Sequence, residues 1–341
     1  MNIFLQTPGT YLHVKDGLFE IRRKVEGEVV KRQFAAQKVT AFLLSSGVAL
    51  STDAVALAHQ HHVDVLFVAY DGQPYGRLWS AKPGSTTRIR KRQLEVSLGP
   101  EGLTAIQDWL GQKLANQAAH LRRLKKHRSQ LHELLDDKAV RIEALAAQIV
   151  GAVAPRVDAV AESIRGWEGS AGRHYFEALA AAMPKDWRFE GRSMRPAKDA
   201  FNAALNYCYG ILYGQVERAL LIAGLDPYLG FLHRDDYNQK SMVFDFIEPY
   251  RIYAERATFT FFSSKTVRKE HFSPLTGGVR LNETGKPLLV EHFFDYLQNE
   301  KIRHRGRNLS RQHALQLDAH RFANSLIEQD PQDELPEMIE L

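Results

Sequence analysis

The hydrophobic period of this chain changes once, from two to about 3.6 near residue 85, and that change confines the fold to a β-rich part followed by a helical one. Before it lie the short β-type runs Ile3-Phe4-Leu5, Tyr11-Leu12-His13-Val14, Leu18-Phe19-Glu20-Ile21, Val39-Thr40-Ala41-Phe42-Leu43-Leu44 and Val63-Asp64-Val65-Leu66-Phe67-Val68. Turn chemistry separates them at Pro8-Gly9, Asp16-Gly17, Glu26-Gly27 and Ser46-Gly47. Asp16-Gly17 between two alternating runs predicts a hairpin, and Thr52 to His61 predicts a helix packed on this sheet. After the change, Leu103, Ile106, Trp109, Leu110, Leu114 and Ala118 recur at three- and four-residue steps, as do Leu205, Cys208, Ile211, Leu212, Gln215, Val216, Ala219 and Leu220. Gly224 is placed to stop the second helix, ahead of Asp226-Pro227. Further helices are expected near 136–150, 168–183, 243–256, 287–302 and 308–327, and no internal repeat is visible. The sequence therefore reads as α+β: a β-rich domain over 1–81, a basic linker over 82–94 with a hinge at Lys82-Pro83-Gly84-Ser85, a larger all-α domain over 95–327 and an acidic tail over 328–341.

Composition narrows the function. A chain of 341 residues, 44% hydrophobic, can bury the cores of two domains. Its one cysteine, Cys208, excludes an internal disulfide and points to a reducing compartment. The longest apolar stretch, Phe201 to Leu225, is broken by Asn206, Gln215, Glu217 and Arg218, and Met1 to Gln6 shows no basic or long apolar leader. No membrane span or signal peptide is read, and a cytoplasmic location is expected. The net charge of +5 hides a more basic body: six acids (Glu328, Asp330, Asp333, Glu334, Glu337, Glu340) sit near the C-terminus, and setting them aside leaves 34 acidic against 45 basic residues, a net of +11. Gly72 to Leu94 holds no acid but has Arg77, Lys82, Arg88, Arg90, Lys91 and Arg92. Residues 109–132 hold Lys113, Arg122, Arg123, Lys125, Lys126 and Arg128, and residues 301–317 hold Lys301, Arg303, Arg305, Arg307 and Arg311, again without acids. Such segments suit a polyanion, because each cation that neutralises a phosphate releases counterions. P-loop, G-x-G-x-x-G, paired C-x-x-C and G-x-S-x-G motifs are missing, which removes the usual supports for nucleotide hydrolysis, dinucleotide redox chemistry, a cysteine zinc finger and the α/β-hydrolase reaction.

Three constellations carry possible chemistry. Asp245 and Glu248, three residues apart in Ser241-Met242-Val243-Phe244-Asp245-Phe246-Ile247-Glu248-Pro249-Tyr250-Arg251, fall on one helix face among apolar neighbours. A carboxylate pair there needs a cation, either Arg251 or a metal, unless the face is simply solvated. His233, in Gly230-Phe231-Leu232-His233-Arg234-Asp235-Asp236-Tyr237, stands twelve residues before Asp245. It is either structural or part of a histidine-plus-carboxylate set for Mg²⁺ or Mn²⁺, with Asp235 and Asp236 as further ligands or turn residues. Glu168, in Gly166-Trp167-Glu168-Gly169-Ser170-Ala171-Gly172-Arg173-His174-Tyr175-Phe176, reads by itself as a helix-start acid; the small residues 169–172 would let a phosphodiester or another helix approach closely, and Arg173 and His174 are phosphate contacts or surface residues.

Taken in order, Trp167-Glu168-Gly169 with Tyr175-Phe176, Arg192-Ser193-Met194-Arg195-Pro196, Asp199 through Tyr207, Glu217-Arg218-Ala219-Leu220, Ala223 through His233 and Phe244 through Arg251 resemble the CRISPR-associated spacer-acquisition integrase family over about eighty-five residues. Small departures occur at Gly172 and Ala197-Lys198. The resemblance implies that Glu168, His233 and Glu248 hold a divalent ion, Mg²⁺ or Mn²⁺, with Asp245 in support. It implies a DNA endonuclease and integrase, in which the 3′-hydroxyl of a short fragment attacks a phosphodiester of a CRISPR repeat. It further implies a homodimer built through the β-rich domain and a small ferredoxin-like adaptation partner, Cas-two. Candidate contacts to double-stranded DNA are Arg173, Arg195, Lys198 and Arg251, with Lys113, Arg122, Arg123, Lys125 and Lys126 expected to grip backbone phosphate from solvent. A non-catalytic DNA binder and a metal nuclease for branched DNA that does not integrate remain open alternatives.

Overall fold

The computed structural model describes residues 2–25, 27–39, 41–61, 63–68, 74–78, 86–233, 239–264 and 267–328. The hinge at 82–85, the loop acids Asp235 and Asp236, and the tail acids beyond Glu328 lie outside them. The chain divides into two compact units, Met1–Pro83 and Gly84–Leu341.

The first unit is the expected β-rich part. It contains β1 (Asn2–Leu5), β2 (Tyr11–Lys15), β3 (Leu18–Val25), β4 (Glu28–Phe34), β5 (Ala41–Ser45), β6 (Ala49–Leu50), α1 (Thr52–Gln60), β7 (Asp64–Val68) and β8 (Pro74–Arg77). One sheet runs β1-β5-β7-β8 and the other β4-β3-β2-β6. Asp16 (φ 53°) and Gly17 (φ 74°) make the tight hairpin between β2 and β3, pairing Lys15 with Leu18. Ser51 caps α1 by accepting from the Ala54 N–H at 3.1 Å. The buried alternate residues Leu12, Phe19, Phe42, Leu44 and Val65 form the core, where Phe19 and Phe42 meet edge to face at 4.8 Å.

The second unit is mostly helical: α2 (Thr86–Ser97), α3 (Pro100–Lys125), α4 (His132–Val150), α5 (Ala161–Ala182), α6 (Ala200–Ile222), α7 (Ser241–Phe246), α8 (Arg251–Ser263), α9 (Gly285–Gln298) and α10 (Arg311–Glu328). Residues 86–94, read as linker from their composition, are the body of α2, because Ile89, Gln93 and Val96 give that basic segment a buried face. Two hairpins interrupt the helices, β9 (Phe272–Leu275) with β10 (Gly278–Leu281), and β11 (Lys301–His304) with β12 (Arg307–Ser310). The basic run from Lys301 is thus a hairpin where the sequence suggested helix: Arg305 (φ 48°) and Gly306 (φ 80°) form a turn that breaks the helical path.

The apolar helix α6 is central to this unit, with Phe201, Leu205, Cys208, Leu212, Val216 and Leu220 all buried. Asp199 caps its start through the Asn202 N–H at 2.8 Å. Gly224 (φ 85°) ends it, with Leu225 N–H donating to the Leu220 carbonyl and Gly224 N–H to that of Leu221. The same core buries His120, whose Nδ1 lies 2.8 Å from the Tyr175 hydroxyl. Burial, with Arg256, Arg123 and Arg128 adding to it, pushes the imidazole from 6.5 down to about 3. Between those values the unfolded chain binds a proton that the folded chain refuses. The contribution is therefore complete above about pH 6.5 and lost as pH falls. His120 alone should cost about 1.4 kcal/mol of stability per pH unit on acidification below about pH 6. Urea unfolding across that range checks this, and His120→Gln should remove its share of the slope.

Candidate active site

Two groups of side chains, both in the helical unit, bring the predicted site residues into the structure. The first is built on Asp245, only 1% exposed at the end of α7. Its Oδ2 accepts the N–H of Phe231 at 2.5 Å and of Leu232 at 3.0 Å, and its Oδ1 accepts the N–H of His233 at 3.2 Å. The same Oδ1 lies 2.5 Å from His233 Nδ1. A carboxylate enclosed by this many donors fixes the loop, and with Nδ1 donating to it the ring keeps Nε2 as its open lone pair. Gly230 is required for the approach: a Cβ there would lie 2.6 Å from that of Ser241 and 3.0 Å from Asp245 Oδ2. Gln93 on α2 clamps the chain upstream, donating to the carbonyls of Asp226 and Leu229 and accepting the Asp226 N–H. Arg165 on α5 donates to the Leu232 carbonyl at 3.2 Å, one turn from Glu168. Replacing Asp245 with Asn would turn N–H groups toward N–H donors. The expected outcome is faster hydrogen exchange of the Phe231, Leu232 and His233 amides, with the far-UV spectrum unchanged.

The second group joins Glu168 and Glu248. Glu168 lies well inside α5 and is not a helix-start acid. Glu248 opens the 3-10 turn Glu248–Tyr250, with Ile247 between it and the end of α7. The two carboxylates meet at Lys113 of α3, which is 5% exposed. Its ammonium pairs with Glu168 Oε1 and, at 2.6 Å, with Glu248 Oε2, while Arg251 Nε donates to Glu248 Oε1 at 2.8 Å. Glu248 Oε2 is buried and takes no well-aligned hydrogen bond, so the ammonium is its compensation. Burial pushes the Glu248 carboxyl up, but Arg251 and Lys113 outweigh it and hold the group at about 2. Burial also works against the Lys113 charge, and the carboxylates of Glu248 and Glu168 reverse that to raise its pKa. Asn116 donates to the Pro249 carbonyl at 3.0 Å and Gln117 to Glu255 at 3.1 Å, so the face of α3 that holds Lys113 also fixes the turn and α8.

The structure thus brings Glu168 to Glu248 and His233 to Asp245; among the described residues no three His, Cys, Asp or Glu side chains gather into one ligand group. The donor chemistry suits a hard divalent ion, since two carboxylates from separate segments already converge on one cation and an oriented imidazole is available. That cation is the Lys113 ammonium.

The remaining basic residues divide by surroundings. Arg123, Lys126, Arg173, Arg195 and Lys198 are exposed, and Arg173 bonds Ser170 Oγ at 3.0 Å. Arg122 is paired with both carboxylate oxygens of Glu143, and Lys125 with Asp136 at 3.0 Å, so the acids of α4 neutralise part of the acid-free run 109–132. Arg251 faces inward, its guanidinium 5.1 Å from the centre of the Tyr209 ring and 3.1 Å from the Tyr213 hydroxyl. Lys113, expected in solvent with the other cations, is instead buried. Its place on the stripe Ile106, Leu110, Leu114 is the sequence signal for that burial.

Residues 3–295 match the family model described as CRISPR associated protein Cas1. The chain is 31% identical over 321 residues to "CRISPR-associated endonuclease Cas1 1" of Archaeoglobus fulgidus, covering 91% of this chain and 92% of that one. It is also 31% identical over 301 residues to a protein of the same description from Thermus thermophilus, covering 87% of each. Among solved structures, a casposase bound to an integration product superposes with a TM-score of 0.73 at 20% identity, covering 100% of this chain and 96% of that one. A Cas1 protein from Thermotoga maritima gives a TM-score of 0.70 at 17% identity, covering 96% and 97% respectively. These two share the fold of a strand-rich beginning and a mostly helical remainder. With the family match running through both units and the site residues alike, this chain belongs to the CRISPR-associated Cas1 family.

Proposed function

We propose that this protein is a metal-dependent DNA endonuclease and integrase of CRISPR adaptation, inserting short foreign fragments into the CRISPR array by attack of a 3′-hydroxyl on a phosphodiester of the repeat. The observation that carries it is the convergence of Glu168 and Glu248 on one cation, in a chain whose relatives are described as endonucleases. Glu168, His233 and Glu248 would hold Mg²⁺ or Mn²⁺, which supplies charge to activate the hydroxyl and to stabilise the crowded phosphorus and the leaving oxygen. The chain's own part is orientation. Asp245 holds the His233 ring in one tautomer, and Arg251 keeps Glu248 ionised and aimed. Since one phosphodiester replaces another, no nucleotide triphosphate is needed.

The exposed strand β4, at the edge of its sheet, supports a homodimer through the first unit. A Cas1–Cas2 assembly among the matching structures supports a Cas2-type partner. No described helix is long and apolar enough to cross a membrane.

The test combines the protein, its partner, a labelled fragment with free 3′-hydroxyls and a repeat-bearing plasmid. A joined strand is expected. Cuts without joining would indicate a simple nuclease, and equal binding in chelator with no covalent product would indicate a DNA binder. Mn²⁺ should serve at least as well as Mg²⁺, because an imidazole suits Mn²⁺ while Mg²⁺ favours all-oxygen octahedra, and the larger Ca²⁺ should fail. Joining that persists in EDTA would remove the metal from the scheme.

A further inference from the structure

The hairpin of β11 and β12 forms, with α10, a cleft of about 600 Å³ bearing His304, Arg305, Arg307, His320 and Arg321. Arg307 and Arg321 are exposed and enter no ion pair among the described residues. Two carboxylates also line it, Glu328 at the end of α10 and Asp318, and Asp318 is already engaged. Its Oδ1 accepts Arg305 Nε at 3.1 Å and lies 3.0 Å from His304 Nε2. Its Oδ2 accepts the Tyr250 hydroxyl at 3.0 Å. Tyr250 is 7% exposed and closes the 3-10 turn that Glu248 opens. One carboxylate therefore connects the tip of a basic hairpin to the turn that presents an acid of the candidate site.

We infer that this cleft holds a backbone phosphate of duplex DNA, and that Asp318 and Tyr250 are positioning residues that tie its occupancy to the turn carrying Glu248. The inference rests on the DNA-joining function proposed above and adds a second DNA-binding point to it. Guanidinium groups bind phosphate with charge-assisted bonds as strong as those they make to a carboxylate, so an incoming phosphate draws Arg305 away from Asp318 Oδ1. Asp318 then has fewer donors to share, its bond to the Tyr250 hydroxyl strengthens, and the turn stiffens where it holds Glu248.

The test uses the full chain in chelator, so that binding is read without chemistry. Anisotropy of a labelled random-sequence duplex across a salt series gives the slope of log K against log[salt]. Hydrogen exchange of the peptide over residues 244–252 is compared with and without that duplex. The wild type should show slower exchange in the turn when DNA is bound. Replacing Arg305, Arg307 and Arg321 with Ala should remove the protection and make the slope shallower by about 0.9 for each phosphate that the protein no longer neutralises. Tyr250→Phe should leave the slope unchanged yet abolish the DNA-dependent protection. Where that variant unfolds early, Asp318→Asn, which keeps an acceptor for Arg305, should do the same. An unchanged slope in the triple variant would mean that no phosphate binds here, and protection surviving in both Tyr250→Phe and Asp318→Asn would mean that the coupling is absent. A wild type that shows the slope and protection but never joins DNA in Mn²⁺ would overturn the proposed chemistry and leave this cleft standing.

Discussion

Glu168→Ala, His233→Ala and Glu248→Ala are each expected to reduce strand joining by about 10³-fold, on the scale of losing a group that stabilises charge in a transition state. The three should not add. Once one donor is gone the remaining two no longer form a working centre, so a triple variant should be little worse than any single one. The Glu168 and Glu248 changes also release Lys113 from one of its two carboxylates, whereas the His233 change leaves that pairing intact. His233→Ala should accordingly lose activity with the smallest change in unfolding midpoint. Joining assays at saturating DNA beside urea unfolding check both halves, and near-wild-type joining by any one variant at low Mg²⁺ would show that its side chain is not a ligand.

Lys113→Met is the second large effect, and it acts on stability first. Removing one partner of a buried ion pair costs about 3–5 kcal/mol, and because Arg251 still holds Glu248 Oε1 and Glu168 is partly exposed, the low end of that range is expected here. In chelator the variant should unfold at markedly lower urea than the wild type. Mn²⁺ should restore most of the loss, since a dication binding the folded state stabilises it by mass action. The wild type should gain less from the same addition, because its ammonium competes for the same oxygens. If Mn²⁺ left the variant as unstable as before, Glu168 and Glu248 would not form a cation site.

Much of this arrangement was legible in the sequence. The change of hydrophobic period separates strands from helices, Asp16-Gly17 and Gly224 sit where left-handed backbone is required, and the acids and histidine of the site lie in short apolar motifs. Less legible was whatever depends on a partner in another segment. The pairing of Arg122 with Glu143 and of Lys125 with Asp136 joins two helices, so a basic run read by itself suggests more free charge than the fold leaves. The spacing of Asp245 and Glu248 suggested one helix face, but α7 ends at Phe246 and Glu248 opens a 3-10 turn, and the two take different partners. The hairpin at 301–310 escaped because charged residues blur the alternation, and that at 272–281 because its strands are only four residues long and the first contains Pro274, although Gly277-Gly278 and Arg305-Gly306 marked their turns.

Asp245 is saturated by backbone and imidazole donors, whereas Glu168 and Glu248 share a side-chain ammonium that can be displaced. The candidate site is thus half rigid and half exchangeable, and the two groups offer different freedom to an engineer. Variants meant to test or retune the proposed ion preference belong at Lys113, Glu168 and Glu248, where a change in size or charge is absorbed by flexible side chains. At Asp245 the same change would be transmitted to the main chain, altering the scaffold before it altered selectivity.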